Sequence, residues 1–358
     1  MRLNLPSHGS NPEKLYKAYS LQPAEQIIDF SVNLNPLGTL PTIEKEWASW
    51  FSLIEDYPDP TGERLIEAIA LNEKLSSQHV LLGNGGAQII ALIANYLAGK
   101  RVGIIQPTFV EYEDMCTAYG CQIEHIILEH GENGDNLTSV FSKIENLDAL
   151  FLCHPNNPTG LVYPKEEIKS LIDQCEREKC YLIIDEAFYH FIDGFPTASK
   201  FVKKHKYLIV IRSLTKMYSI AGLRLGYALA SKRVIEAMQA RQAHWSINAL
   251  AIEAGLLCLE ARSFTKDTQI FVANERKRVF DKLKQAGYLM SKSEVNYYLL
   301  RDDRLDNQEA LIRFLLKKGI VARHTENFRG LDGRWLRLAV KRERENDKLI
   351  EALEEWKQ

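Results

Sequence analysis

The sequence predicts an α/β protein with a large, mostly parallel sheet of seven strands and a smaller α+β region after it. Three observations carry this. From residue 80 to 230, short apolar runs alternate with amphipathic stretches, the pattern of strands joined by helical crossovers. The runs lie near 79–83, 101–105, 123–128, 149–153, 181–185, 207–212 and 226–230, and are almost continuously apolar, as strands covered on both faces must be. Beyond 230 come long helices, near 231–242 and 246–285, and then short strands and helices intermix.

Composition bounds the function. A chain of 358 residues with 46% hydrophobic and 26% charged side chains can bury a large core. Its formal net charge of −2 gives no field that would draw it to nucleic acid or an anionic membrane. The cysteines at 116, 121, 153, 175, 180 and 258 form no C-x-x-C pair, which predicts reduced, buried thiols and no metal site. No hydrophobic signal core opens the chain, and no apolar run approaches the about 18 residues that span a bilayer. Cytoplasm is therefore the expected compartment. Without a low-complexity linker, the expected domains are closely interleaved: an N-terminal arm at 1–45 packing with the small domain, a large domain at 46–245, and a linking helix with the small domain at 246–358.

Taken in order, residues 1–40 are irregular. They hold Ser7-His-Gly-Ser-Asn11, a short helix near 12–19, and the turn-rich segment Asp29–Gly38. Asp56-Tyr-Pro-Asp-Pro-Thr-Gly62 is a rigid turn with Tyr57 at the head of a helix near 63–75. The first strand ends in Leu82-Gly-Asn-Gly-Gly-Ala-Gln88, which opens a helix to Leu97, so its N–H groups and dipole can hold a phosphate. The dinucleotide pattern G-x-G-x-x-G fails at Gln88, which favours one phosphate over two. The second strand delivers Phe109, a ring that either stacks on a planar heterocycle or packs in the core. The fourth feeds His154-Pro-Asn-Asn-Pro-Thr-Gly160, which sets the Asn157 amide at the sheet edge as a donor. Asp185 closes the apolar fifth strand, where an unpaired carboxylate is costly; it either caps the next turn or awaits a cation.

Lys216 follows the sixth strand, at the carboxyl edge where open α/β sheets bind ligands. A lysine desolvated there and held near cations loses its proton readily and becomes a nucleophile toward a carbonyl. Ser213 and Arg224 beside it suit an anion. Together these point to a phosphorylated aldehyde, pyridoxal phosphate, with Asp185 on its protonated pyridine nitrogen. In the last region strands are expected at 296–300, 319–323 and 334–340, with helices near 307–318 and 344–357. Arg337 sits inside the last strand, where its fork suits a substrate carboxylate or a buried ion pair.

The combination NNPTG, DEAF, SLTK and GLRLGY resembles the fold type I, aspartate-aminotransferase-like pyridoxal phosphate enzymes over essentially the whole chain. The resemblance implies that Lys216 bonds the cofactor, Asp185 pairs with its pyridine nitrogen, Asn157 meets its phenolate oxygen and Phe109 stacks on its ring. Gly86, Ala87, Ser213, Thr215 and Arg224 would hold its phosphate. Tyr57 matches a tyrosine lent to the neighbouring subunit's cofactor, which implies a homodimer with shared active sites. Arg337 matches the arginine that takes a substrate carboxylate. Phe188 departs from a common DEAY pattern and offers no phenolic hydroxyl. Within the family, the HGS opening, DFSVNLNPLG, SLTKMY and NFRGLDGRWLRLAVKRERENDKL look most like the threonine-phosphate decarboxylases of cobalamin synthesis. These make aminopropanol phosphate. Histidinol-phosphate aminotransferases are similar throughout and supply the alternative. Either branch implies a phosphorylated substrate, with His8, Asn33 and Arg323 expected near its phosphate, although the decarboxylases' usual HGG is His8-Gly9-Ser10 here. A DNA-binding regulator of this fold is disfavoured because no basic recognition helix precedes it. The failed glycine fingerprint disfavours a nicotinamide dehydrogenase.

Overall fold

The computed structural model describes residues 5–128 and 137–358. After a two-residue strand, Ile28–Asp29 (β1), the chain builds Val80–Asn84 (β2), Arg101–Gln106 (β3), Gln122–Ile127 (β4), Ala149–Cys153 (β5), Tyr181–Asp185 (β6), Leu208–Ser213 (β7) and Leu225–Ala230 (β8). These seven, β2 to β8, form one sheet in the order β2-β8-β7-β6-β5-β3-β4. All pairs are parallel except those of β8, which runs against both β2 and β7. Because β8 alone is reversed, its amino end meets the carboxyl ends of the others. One sheet edge thus collects Asn84, Gln106, Cys153, Asp185, Ser213 and Leu225.

The apolar runs became strands because helices cover both faces and leave no room for alternation with polar residues. The helix Lys165–Glu178 shows how: Ile168, Leu171, Ile172 and Cys175, at the i, i+3, i+4, i+7 spacing, are its buried stripe. Burial of each large side chain is worth about 1.5–3 kcal/mol. That helix stops at Lys179, which takes a left-handed conformation (φ 56°) and hands the chain to β6.

The remaining strands are Leu289–Met290 (β9), Tyr297–Arg301 (β10), Ile320–Val321 (β11), Arg323–His324 (β12) and Leu336–Ala339 (β13). Four form an antiparallel sheet, β12-β13-β10-β9, while β11 pairs in parallel with β1. Leu15, Tyr16 and Phe30 from the beginning of the chain share a core with Leu311, Leu338 and Leu349, and the Tyr16 hydroxyl donates to the Leu316 carbonyl at 2.8 Å. Two expectations need correcting. The helix expected over 246–285 is two, Ala249–Glu260 and Arg262–Gln285, because the chain bends at Ala261 (ψ 51°). The strand expected at 319–323 is split at Ala322 into β11 and β12, which pair with different partners. Both breaks are set by tertiary packing, which no local propensity encodes. No described helix is long and apolar enough to cross a membrane.

Candidate active site

At the shared strand edge lies a cavity of about 260 Å³, and every candidate residue but Tyr57 lines it. Tyr57 stands apart, 85% exposed, its ring 5.2 Å from that of Trp245.

Lys216 lies in the turn after β7, and that turn is pinned to the amino-terminal part of the chain by the Asn35 N–H, which donates to the Lys216 carbonyl at 3.0 Å. Burial above all, with repulsion from Arg337 and Arg224 and against the opposing pull of Asp185, lowers the Lys216 ammonium to about 8. Across the cavity floor, Asp185 accepts from the Tyr112 hydroxyl at 2.6 Å and from the Ala187 N–H at 2.9 Å. It does form a turn with Ala187, one of the two expectations for it. Burial nonetheless raises its proton affinity, and its partners are a hydroxyl and a backbone N–H, with Lys216 acting on it only through space. A fully buried carboxylate in that state has capacity for a cation.

The phosphate-like end is built around two glycines. The helix Gly85–Tyr96 starts at this edge, with Gly86 and Ala87 in its first turn. A Cβ at Gly85 would stand 2.6 Å from Arg224 Nη2, and one at Gly226 would stand 2.9 Å from the Gly86 nitrogen. Glycine at these positions lets a guanidinium and a strand close on the helix terminus. Arg224 itself holds a left-handed conformation (φ 59°), a strain found mainly where function over-determines the backbone. Ser213 and Thr215 add hydroxyls at the ends of the same turn.

Opposite this end stand two buried arginines. Arg323 and Arg337 face each other in register across β12 and β13, an arrangement that like-charge repulsion disfavours. Arg337 donates to Asn157 Oδ1 at 2.6 Å and to the Ser31 carbonyl at 2.7 Å, while its Nε has no partner. Arg323 donates to the Ser7 carbonyl and Asn327 Oδ1, both at 2.6 Å. Neither has a carboxylate within 4 Å among the described residues, so the ion pair weighed for Arg337 does not form. Burial, helped by repulsion from Arg337, pulls Arg323 down to about 9, and burial pulls Arg337 to about 10 against the opposing effect of Tyr297 and Asp29. The contact with Arg337 also orients Asn157: its oxygen is committed, leaving its NH2 for a ligand.

The rest of the wall comes from the beginning of the chain. Ser7 to Ser10 border the cavity; the His8 ring lies 5.8 Å from that of Phe109, with Nε2 3.6 Å from Glu111. Asn33 is buried, with an oxygen that has no hydrogen-bond partner. Phe188 lines the cavity and packs edge-on to Tyr297 at 4.7 Å.

The family model described as aminotransferase class I and II matches residues 25–353. The chain belongs to this family. It is 35% identical to the threonine-phosphate decarboxylase of Salmonella typhimurium over 97% of this chain and 95% of that one. Among solved structures, it superposes on a histidinol-phosphate aminotransferase from Clostridium acetobutylicum with a TM-score of 0.86 at 30% identity, covering 92% of this chain and 98% of that one. An L-threonine-O-3-phosphate decarboxylase from Porphyromonas gingivalis gives 0.81 at 27%, with 91% and 98% covered. The protein is a pyridoxal-phosphate-dependent enzyme of the decarboxylase and aminotransferase kind. The cavity fits that cofactor on its own evidence: a depressed lysine, a buried carboxylate short of a cation, and a glycine-lined helix terminus beside an arginine.

Sequence reasoning missed Tyr112, which lies in the first turn of the helix Glu111–Ala118, three residues after Phe109. Ser31 was missed as well, because its role is carried by a backbone carbonyl and not by its side-chain chemistry. Phe328, a further wall of the cavity, carried no signal apart from lying in the NFRGLDG segment.

Proposed function

We propose that this enzyme decarboxylates threonine phosphate to aminopropanol phosphate. The observation that carries the reading is the pair Arg323 and Arg337, two buried cations in register with no carboxylate within 4 Å of either among the described residues, Asp29 acting on Arg337 only from farther off. Such a pair is tolerated where a ligand supplies the missing charge. Threonine phosphate brings a carboxylate and a phosphate together, whereas histidinol phosphate brings a phosphate alone. The 35% identity to the Salmonella decarboxylase supports the same choice.

On this reading Lys216 bonds the cofactor, Asp185 holds the proton of its ring nitrogen, and Asn157 donates to its phenolate oxygen. Phe109 stacks on the ring, while Gly86, Ala87, Ser213, Thr215 and Arg224 hold the phosphate. When bound, the cofactor supplies an electron sink conjugated to the substrate's Cα. Arg337 takes the substrate carboxylate, and Arg323, His8 and Asn33 take its phosphate. Fixing both anions fixes rotation about the bond from nitrogen to Cα, and that rotation selects which bond breaks. The bond from Cα to the carboxylate would break with CO2 leaving and its electron pair staying on the substrate side, and Lys216 Nζ, by then free as an ammonium, would deliver a proton to Cα. The enzyme works as a homodimer in which Tyr57 reaches the partner's site, supported by the exposed Trp47, Phe51, Ile54 and Trp245 that accompany it on the surface. Incubating the holoenzyme with each substrate in turn tests the reading. A phosphorylated amine from threonine phosphate is expected, and glutamate formation from histidinol phosphate with 2-oxoglutarate, with threonine phosphate untouched, would overturn it.

A further inference from the structure

We infer that Tyr112 is a positioning residue for the reaction: from beneath the cavity its hydroxyl holds the Asp185 carboxylate, so that the carboxylate's charge stays available to the cofactor's ring nitrogen. The inference rests on the reading that Asp185 meets that nitrogen.

Tyr112 is fully buried on the helix Glu111–Ala118, and its hydroxyl donates to Asp185 Oδ2 at 2.6 Å. The other oxygen, Oδ1, takes the Ala187 N–H at 2.9 Å. Each carboxylate oxygen therefore has one fixed donor, and the plane of the group is set before any ligand arrives. The tyrosine ring is itself clamped, stacked on Phe151 with centroids 5.1 Å apart and meeting Phe109 edge-on at 5.9 Å. One helix thus supplies the hydroxyl under Asp185, while the ring expected on the cofactor's face stands just before it.

The surroundings make this hydroxyl matter. The groups that act on Asp185 are Lys216 across the cavity, Cys153 on the neighbouring strand, Tyr112 and Tyr297. Burial pushes the Cys153 thiol up to about 12 and raises both tyrosines well above their usual value, so these three stay neutral. Burial favours a protonated Asp185, and the Tyr112 hydroxyl opposes that by stabilising the carboxylate. A proton shared between Asp185 and the ring nitrogen is divided by their relative affinities. Without the hydroxyl, Asp185 draws that proton toward itself, and the ring loses positive charge. Nothing in this chain of effects touches the substrate directly.

Tyr112→Phe tests the inference, because phenylalanine keeps the clamped ring and removes only the donor. In the holoenzyme kcat is expected to fall about 10- to 100-fold, the factor that a hydrogen bond to a charged group sets, with KM little changed. The pH titration of the cofactor's visible absorption is expected to shift as well. In the apoprotein, the infrared band of the protonated Asp185 carboxyl, assigned with Asp185→Asn, is expected to persist to higher pH in Tyr112→Phe. A purely structural tyrosine would move melting temperature and leave the absorption titration and carboxyl band in place. If Asp185→Asn alters the absorption titration and Tyr112→Phe leaves it, the carboxyl band and kcat as they were, the inference is overturned. If Asp185→Asn also leaves the absorption unaltered, the placing of Asp185 on the ring nitrogen fails, and the inference falls with it.

Discussion

Replacing Arg337 by methionine is expected to destroy activity and leave the fold about as stable as before. At neutral pH the guanidinium is charged in both folded and unfolded chains, so the penalty that lowers it from 12.5 to about 10 is fully present. A displacement of that size corresponds to about 3 kcal/mol of cost, which the apolar side chain removes. Against this stand the two donated hydrogen bonds, to Asn157 Oδ1 and the Ser31 carbonyl. Losing them strands two acceptors at about 1–3 kcal/mol each. The terms nearly cancel, which predicts a net change within roughly 3 kcal/mol and a melting shift of a few degrees. Substrate binding has no such compensation. A desolvated arginine–carboxylate contact is worth about 2–5 kcal/mol, so kcat/KM is expected to fall about 10²- to 10⁴-fold. Arg337→Lys should lose nearly as much, because an ammonium cannot reproduce the fork. Urea unfolding and steady-state kinetics on the three proteins decide it. A methionine variant with near-normal kcat/KM, or one too unstable to fold, would refute the argument that this charge is kept for a ligand.

Three further outcomes follow from the same geometry. Between about pH 8 and 10.5 the unfolded apoprotein keeps the Lys216 proton that the folded one has lost, so stability should rise through that window by up to about 3 kcal/mol; a Lys216→Met apoprotein with the same pH slope would contradict this. Mixing inactive Lys216→Ala with Tyr57→Ala subunits should restore activity, since one site of each hybrid dimer then has both groups; no recovery after verified subunit exchange would remove Tyr57 from the site. A Cβ at Gly9 would stand 2.5 Å from the Ser31 carbonyl oxygen, so Gly9→Ala should lift Ser7–Ser10 off the cavity and raise KM about tenfold, a cost of ordinary overpacking, with the cofactor's absorption unchanged; an unaltered KM would show that this wall does not contact substrate.

The sheet was legible because its strands are buried on both faces and so read as apolar runs; β2 to β8 all lie within two residues of where the sequence puts them. The chemistry-bearing turns were legible for a related reason, since a lysine, a carboxylate and an amide at the ends of apolar strands violate the pattern around them. What the sequence hid depends on strands meeting out of order. Tyr112 reaches Asp185 only because β3 and β6 both flank β5, and Arg323 faces Arg337 only through the register of β12 on β13. The bend at Ala261 was hidden too, because the apolar and polar spacing runs through it without a glycine or proline.

Carboxyl-labelled threonine phosphate, given to the holoenzyme with 2-oxoglutarate present, tests the central claim most directly. Label should leave as CO2 in step with the appearance of aminopropanol phosphate, with little glutamate formed. Glutamate forming in its place, with the label retained in a keto acid, would show that the same side chains direct a transamination.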